Sequence, residues 1–445
     1  MTNNIGAGPR ALGMALASAT LLSLMATLPA RAAESPPAET IALKAAHVFD
    51  STGTTLRDGA VVVVSGGKIV SVGSAVPAGA RVIDLGDATL LPGFIDAHTH
   101  ITDEFEPNYY LGVYHRLMRF PSEQALYAAV YARRTLEAGF TTVRNVGASD
   151  FVDIGLRNAI NAGVTVGPRM ITAAHGIGSP GGHFDDFAFP PERVKPDGPL
   201  EGICTGADQC REAVRYQMKW GADVIKISAS GGVLSESDRV DDPQLTPEEL
   251  SAIITEAHNR GRKVAAHCHG DTAARLAIAA GVDSIEHGSF LSEDTLKLMK
   301  AKGVYLVPTR MAIYWVMKQV DTFPPQIAAK ARAAAAAADK SFKTALRLGV
   351  PIAFGTDSGV FPHGMNGMEF ALMTDQGMAP SAALRAGTRE AAKLLGVDAE
   401  VGTLEAGKVA DIVAVPGNVL NDIHATEHPV FVMHLGKVVL QKSGS

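Results

Sequence analysis

From residue 121 onward the chain repeats one pattern of apolar and polar positions: an Ala-rich stretch of helical spacing, a glycine, then a short β-branched run. It recurs in TLEAGFTTVRNV, QMKWGADVIKIS, EAHNRGRKVAAHC, AIAAGVDSIEHG, LMKAKGVYLVPT and ALRLGVPIAFG. Each glycine falls where a helix end needs a positive φ. The runs that follow are nearly continuous in apolar residues, which predicts strands of a parallel sheet covered by helices on its faces. LLPGFIDAHTH and GPRMITAAH bring the strands to eight, the number that closes a (β/α)8 TIM barrel. A doubly wound open sheet is the rival architecture, but no Gly-rich phosphate loop follows the first strand.

Outside residues 91–395 the period changes. Residues 38–90 carry short strands and turns, and residues 396–445 resume that style. GGKIVSVG and LGKVVLQK, one from each end, share a turn Gly before Lys and β-branched residues. A small β-sandwich made from both ends of the chain, with the barrel inserted between them, accounts for this pattern. Two Gly-, Pro-, Asp- and Ser-rich stretches, 176–206 and 229–246, follow the third and fourth strands. In a barrel that side carries the active-site loops, so both are expected to face substrate rather than solvent alone.

Composition changes this picture in three places. A net charge of -6 with 19% charged residues gives no reason to expect nucleic acid or an anionic membrane as partner. Residues 1–32 have Arg10 as a weak positive start, an Ala-, Leu- and Met-rich stretch and a closing ARA. They read as a secretory signal peptide, shorter and more interrupted than a membrane anchor, so a secreted or periplasmic location is expected. Export alters the reading of the cysteines: Cys204 and Cys210 in ICTGADQC are placed to close a small disulfide loop, with Cys268 left over. A zinc site on that pair is the weaker alternative, because the spacing is looser than a zinc knuckle.

The candidate chemistry lies at strand ends. His98 and His100 are two apart on one strand, so both imidazoles share a face. Lys226 in DVIKIS, His267 in VAAHCHG, His287 in SIEHGS and Asp357 in AFGTDSG end other strands at the same height. Taken singly, each has an ordinary reading as a packed core histidine, a snorkelling lysine or a capping aspartate. Their convergence on one mouth points instead to a metal centre.

With these residues the chain resembles the metal-dependent amidohydrolase superfamily: HTH ends the first strand, an apolar-flanked Lys the fourth, His the fifth and sixth, and Asp the eighth. GFTTVRNVG, SGGVLSESD and GVYLVPT make it most similar to the prolidase-like branch of Xaa-Pro dipeptidases and ochratoxin amidohydrolases. Asn145 departs from the Asp expected in VRDVG. The resemblance implies two divalent ions, zinc being expected. His98, His100 and Asp357 would hold one, His267 and His287 the other, with a carboxylated Lys226 bridging them.

It further implies a homo-oligomer that cleaves the amide of a dipeptide or N-acyl amino acid with a free carboxylate. Asp357 is expected to take a proton from the attacking water. His175, ending the third strand, is a further catalytic candidate that could bond the scissile carbonyl. His183 and His269 are expected to bind substrate together with His175, and Arg310 to clamp a carboxylate. A deaminase or cyclic-amide hydrolase on the same barrel is the enzymatic rival, and a non-catalytic periplasmic ligand-binding protein the rival of another class. Lys226 favours two metals over the mononuclear deaminase arrangement.

Overall fold

The computed structural model describes residues 39–442, apart from 186–189, 191, 194, 236 and 237. The expected signal peptide lies outside the described residues. Among those described, no helix is long and apolar enough to cross a membrane.

The six predicted helix-end glycines, Gly139, Gly221, Gly261, Gly281, Gly303 and Gly349, all have φ between 68° and 109°. In that region a side chain would collide with the following carbonyl, so glycine ends each helix cheaply and turns the chain into the next strand. Seven parallel strands follow in order: Phe94–Thr99, Phe140–Asn145, Arg169–Thr172, Val224–Ser228, Lys263–Cys268, Ser284–His287 and Tyr305–Val307. The first three pair with one another, and so do the last four. An eighth extended segment joins the two sets, accepting from Leu306 N through Pro351 O at 2.9 Å and from Ala97 N through Phe354 O at 2.9 Å. At the other seam Ile177 N donates to Lys226 O at 2.8 Å and Asp223 N to Thr172 O at 2.7 Å. The hydrogen bonds therefore run through eight segments and return to the first.

LLPGFIDAHTH, expected as one strand, is two. Ala88–Pro92 pairs antiparallel with Ile412–Pro416, and Phe94–Thr99 starts the parallel set. Gly93 lies between them because a Cβ there would sit 2.1 Å from Thr141 Oγ1. Both ends of the chain thus share one six-stranded sheet, Lys437–Gln441, Phe431–His434, Ile412–Pro416, Ala88–Pro92, His47–Val48 and Arg57–Asp58. A four-stranded sheet holds Lys68–Gly73, Val61–Ser65, Thr40–Lys44 and Arg81–Asp84. Leu43, Val62 and Ile69 of the smaller sheet share an apolar cluster with Leu90, Ile412 and Phe431 of the larger.

Beneath the parallel strands Phe94, Phe140, Phe354 and Phe370 form a buried aromatic cluster, with the Phe354 and Phe370 centroids 4.3 Å apart. Emptying one such position costs about 3–5 kcal/mol, so the strand bases are rigid where the strand tips carry polar groups. The helix Pro247–Asn259 fixes the end of the 229–246 loop, because Thr246 and Glu249 form a reciprocal capping box at its start.

Candidate active site

The polar residues at the strand tips converge as the sequence predicts. His98, His100, Lys226, His267, His287 and Asp357 line one cavity of about 270 Å³. Two triads stand out within it: His98, His100 and Asp357, and His267, His269 and His287, each with ligand atoms within 4.8 Å of one another. His287 and Asp357 both hold left-handed backbone, at φ 68° and 65°. For non-glycine residues this is strain of about 1–3 kcal/mol each, stored where the chain must aim a side chain sharply.

In the first triad His98 Nδ1 donates to Glu286 Oε2 at 2.8 Å. His98 Nε2 lies 3.3 Å from Asp357 Oδ1, the same distance as from His100 Nε2 to that oxygen. Two imidazole nitrogens and a carboxylate oxygen converging at this distance make a donor set suited to a cation. Burial opposes ionisation of Asp357, but the His98 and His100 imidazoles outweigh it and hold its carboxyl well below the usual range. In the second triad burial, reinforced by neighbouring imidazoles, pushes His267 and His287 well below the ordinary histidine range. Neutral imidazole is the form that ligates a metal. His287 Nδ1 lies 2.7 Å from Thr309 Oγ1, which fixes the ring and turns Nε2 toward the cavity.

Lys226 is 1% exposed, and its Nζ has no hydrogen-bond partner among the described residues. Burial lowers its pKa to about 8, against the opposing pull of Glu286 and Asp357. An unpartnered buried amine costs free energy unless a further group satisfies it. The donor set and this orphaned amine fit a metal centre.

Sequence reasoning missed a buried group that supports the first triad and a cation at the cavity rim. Glu286 is fully buried and bridges His98 to Arg144, whose Nη2 donates to Glu286 Oε1 at 2.8 Å. Ser284 Oγ donates to the same oxygen at 2.5 Å. Burial disfavours the charge on Glu286, yet Arg144 and His98 bring its pKa down to about 2. The alternation Ser284, Glu286 on one face of a strand was the available signal. Arg116, in the helix Tyr109–Met118, lines the cavity at its exposed rim and has no acidic partner among the described residues.

The structure corrects two expectations. His175 is absent from the cavity lining: its Nδ1 lies 3.1 Å from Gln217 Oε1, and its Nε2 accepts from Asp150 N at 3.1 Å. Ala174, at φ 58°, turns the chain just before it and carries the ring outward. Arg310 also points away. Left-handed Thr309 starts the helix Arg310–Lys318, and the guanidinium pairs with Asp339 across Phe342. His183 and His269 do reach the cavity, His183 stacking on His267 at 4.2 Å between centroids. His269, expected to bind substrate, is itself a member of the second triad, its ring 4.9 Å from that of His287.

Asn145 accepts from Ile101 N at 2.6 Å and donates to Gly147 O at 3.0 Å and to the Asp153 carboxylate at 3.4 Å. An aspartate there would face Asp153 with like charge. Cys204 and Cys210 form the expected disulfide, and Cys268 is free and buried.

The sequence profile of the Amidohydrolase family matches residues 89–439. Ochratoxinase of Aspergillus niger is 32% identical over 428 residues, covering 91% of this chain and 87% of that protein. Among solved structures, a Xaa-Pro dipeptidase with methionine bound in its active site superposes with a TM-score of 0.85 at 36% identity, covering 90% of this chain and 99% of that one. The A. niger ochratoxinase structure gives a TM-score of 0.81 at 30% identity, covering 92% and 98%. The chain belongs to the amidohydrolase family, in the prolidase-like branch that holds these relatives, and is a hydrolase of amide or peptide bonds.

Proposed function

We propose that this chain is an exported, binuclear metal-dependent amidohydrolase that cleaves the amide of dipeptides or N-acyl amino acids bearing a free carboxylate. Residues 91–395 are read as its (β/α)8 barrel and residues 38–90 with 396–445 as a composite β-sandwich domain. The observation that carries the reading is Lys226: a buried amine with no partner among the described residues, on the same cavity as two imidazole-rich triads. His98, His100 and Asp357 would hold one divalent ion and His267 and His287 the other, with carboxylated Lys226 between them. His269 is close enough to the second group to compete for that place. Zinc suits imidazole and carboxylate donors.

A bound divalent pair supplies Lewis acidity toward the scissile carbonyl and lowers the pKa of water. The chain's own residues do the rest. Asp357, ionised and held between two imidazoles, is the base that takes the water proton and passes it to the leaving nitrogen. Glu286 fixes the His98 tautomer. Arg116, rather than Arg310, is the carboxylate-binding cation at the rim.

Export is supported by the Cys204–Cys210 disulfide, which belongs in an oxidising compartment. A homo-oligomer is supported by the exposed Tyr110, Tyr114, Leu117, Met118 and Phe120 near the cavity mouth. Ochratoxin A and Xaa-Pro dipeptides head the substrates to test, after the names of the relatives. The test is hydrolysis of a panel of dipeptides and N-acyl amino acids by metal-loaded protein, with Asp357→Asn as its partner variant. Turnover lost in Asp357→Asn while metal is retained supports the reading; an unchanged rate overturns the role of Asp357.

A further inference from the structure

Part of the cavity wall is apolar, and much of it comes from three elements. Val233 projects from the 229–246 loop, Ile313 and Met317 from the helix Arg310–Lys318, and Ala331, Ala334 and Ala335 from the helix Pro325–Leu348. The three alanines are spaced i, i+3, i+4, so they form one face of their helix. They belong to the sequence ARAAAAAAD, in which every apolar position is the smallest side chain that still favours helix. Larger side chains at those positions would project into the cavity.

The wall is also held in place. Lys330, on the same helix, donates through Nζ to Gly232 O at 2.8 Å, Ser235 O at 2.5 Å and Asp238 O at 3.1 Å. Asp238 Oδ2 in turn accepts from Gly232 N at 3.0 Å. One ammonium thus ties the loop that carries Val233 to the helix that carries the alanines, fixing the width between them.

Such a wall offers no partner to a polar substituent and rewards an apolar one, each buried methylene strengthening binding about fourfold. We infer that this Ala-faced cleft is the specificity determinant of the enzyme and selects amides bearing a bulky apolar group, an aromatic ring or branched aliphatic chain, over those with small substituents. The inference rests on the amidohydrolase reading above and adds the substrate's apolar half to it.

The test compares zinc-loaded protein on N-acetyl-phenylalanine and N-benzoyl-alanine against N-acetyl-alanine, which places the ring on either side of the scissile bond. At least one ring-bearing amide is expected to exceed N-acetyl-alanine in kcat/KM by about 100-fold, on the scale of a few methylenes in an apolar pocket. Ala334→Leu and Ala335→Leu should each cut that preference about tenfold, largely through KM. Ala333→Leu, on the exposed side of the same helix, should leave it unchanged. Ala335 is only partly buried, so its variant keeps the test open if Ala334→Leu fails to fold. Equal kcat/KM on all three amides, or a preference untouched in both cavity variants, overturns the inference.

If no amide is cleaved, the hydrolase reading is what fails. The cleft is then judged by calorimetric binding of 3-phenylpropanoate against propanoate. Tighter binding of the phenyl acid, lost in Ala335→Leu, sustains the cleft, and equal binding overturns it.

Discussion

Glu286→Gln removes one charge from a buried four-residue cluster while nearly preserving its shape. In the wild type the carboxylate takes Nδ1–H of His98 at 2.8 Å, Nη2 of Arg144 at 2.8 Å and Oγ of Ser284 at 2.5 Å. Arg144 is 1% exposed, so its guanidinium would be left buried without a counter-charge, at a cost of about 3–5 kcal/mol. The same contacts appear in the pKa. A folded pKa of about 2, against about 4.5 for an ordinary glutamate, corresponds to about 3 kcal/mol at neutral pH. Because the folded pKa is depressed, that stability is fully present above the unfolded value and is lost as pH falls through about 2.

The glutamine amide would also place a donor against either His98 or Arg144. The His98 ring then loses its orienting acceptor, which lowers metal affinity about 10–100-fold by the usual effect of such partners. The assay is urea unfolding of the metal-free protein at pH 7, together with zinc titration against a chelator. A stability within about 1 kcal/mol of wild type and an unchanged zinc affinity would refute the assignment of Glu286 as the group that holds His98.

Other consequences follow from buried groups away from the reacting atoms. Asp411 pairs with Arg169 at 2.8 Å and His434 at 2.8 Å, and these partners outweigh burial to lower its pKa. Asp411→Asn should therefore cost about 3 kcal/mol at pH 7. That difference should shrink in urea melts as pH falls below the ordinary carboxylate range, and a pH-independent difference would contradict the pairing. Replacing both Cys204 and Cys210 by Ser opens a loop of sequence separation 6 and should lower stability by about 2 kcal/mol through chain entropy, with no loss expected if the bond does not form. Burial pushes the Cys268 thiol up to about 12. Iodoacetamide at pH 8 should leave it unlabelled in native protein and modify it after unfolding, and rapid native labelling would show it to be accessible.

The repeated helix, glycine and strand pattern was legible because it reflects a local requirement: a helix that ends in left-handed backbone before a buried strand. The triads were legible for a related reason. A polar residue closing an apolar strand has few places to go, so His98, Lys226, His267, His287 and Asp357 point to a shared rim from sequence alone. Beyond the strand tip that logic stops. His175 and Arg310 were misplaced because single left-handed residues, Ala174 and Thr309, redirect the chain there, and neither alanine nor threonine advertises such a turn.

Glu286 was hidden by its neighbour. SIEH looks like one ligand at a strand end, yet its Glu lies on the opposite strand face and serves His98, 188 residues away in the chain. Arg116 sits in a helix between the first and second parallel strands, and only the folded cavity shows that it reaches the site. The break at Gly93 depended on Thr141, a contact no local pattern contains.

The most direct measurement is metal content per chain, by plasma mass spectrometry on protein loaded with zinc and then desalted, for wild type and Lys226→Ala side by side. Two tightly bound equivalents in the wild type, falling to one or fewer in Lys226→Ala with loss of amide hydrolysis, is the predicted result. Two equivalents and full activity in Lys226→Ala would contradict the binuclear centre.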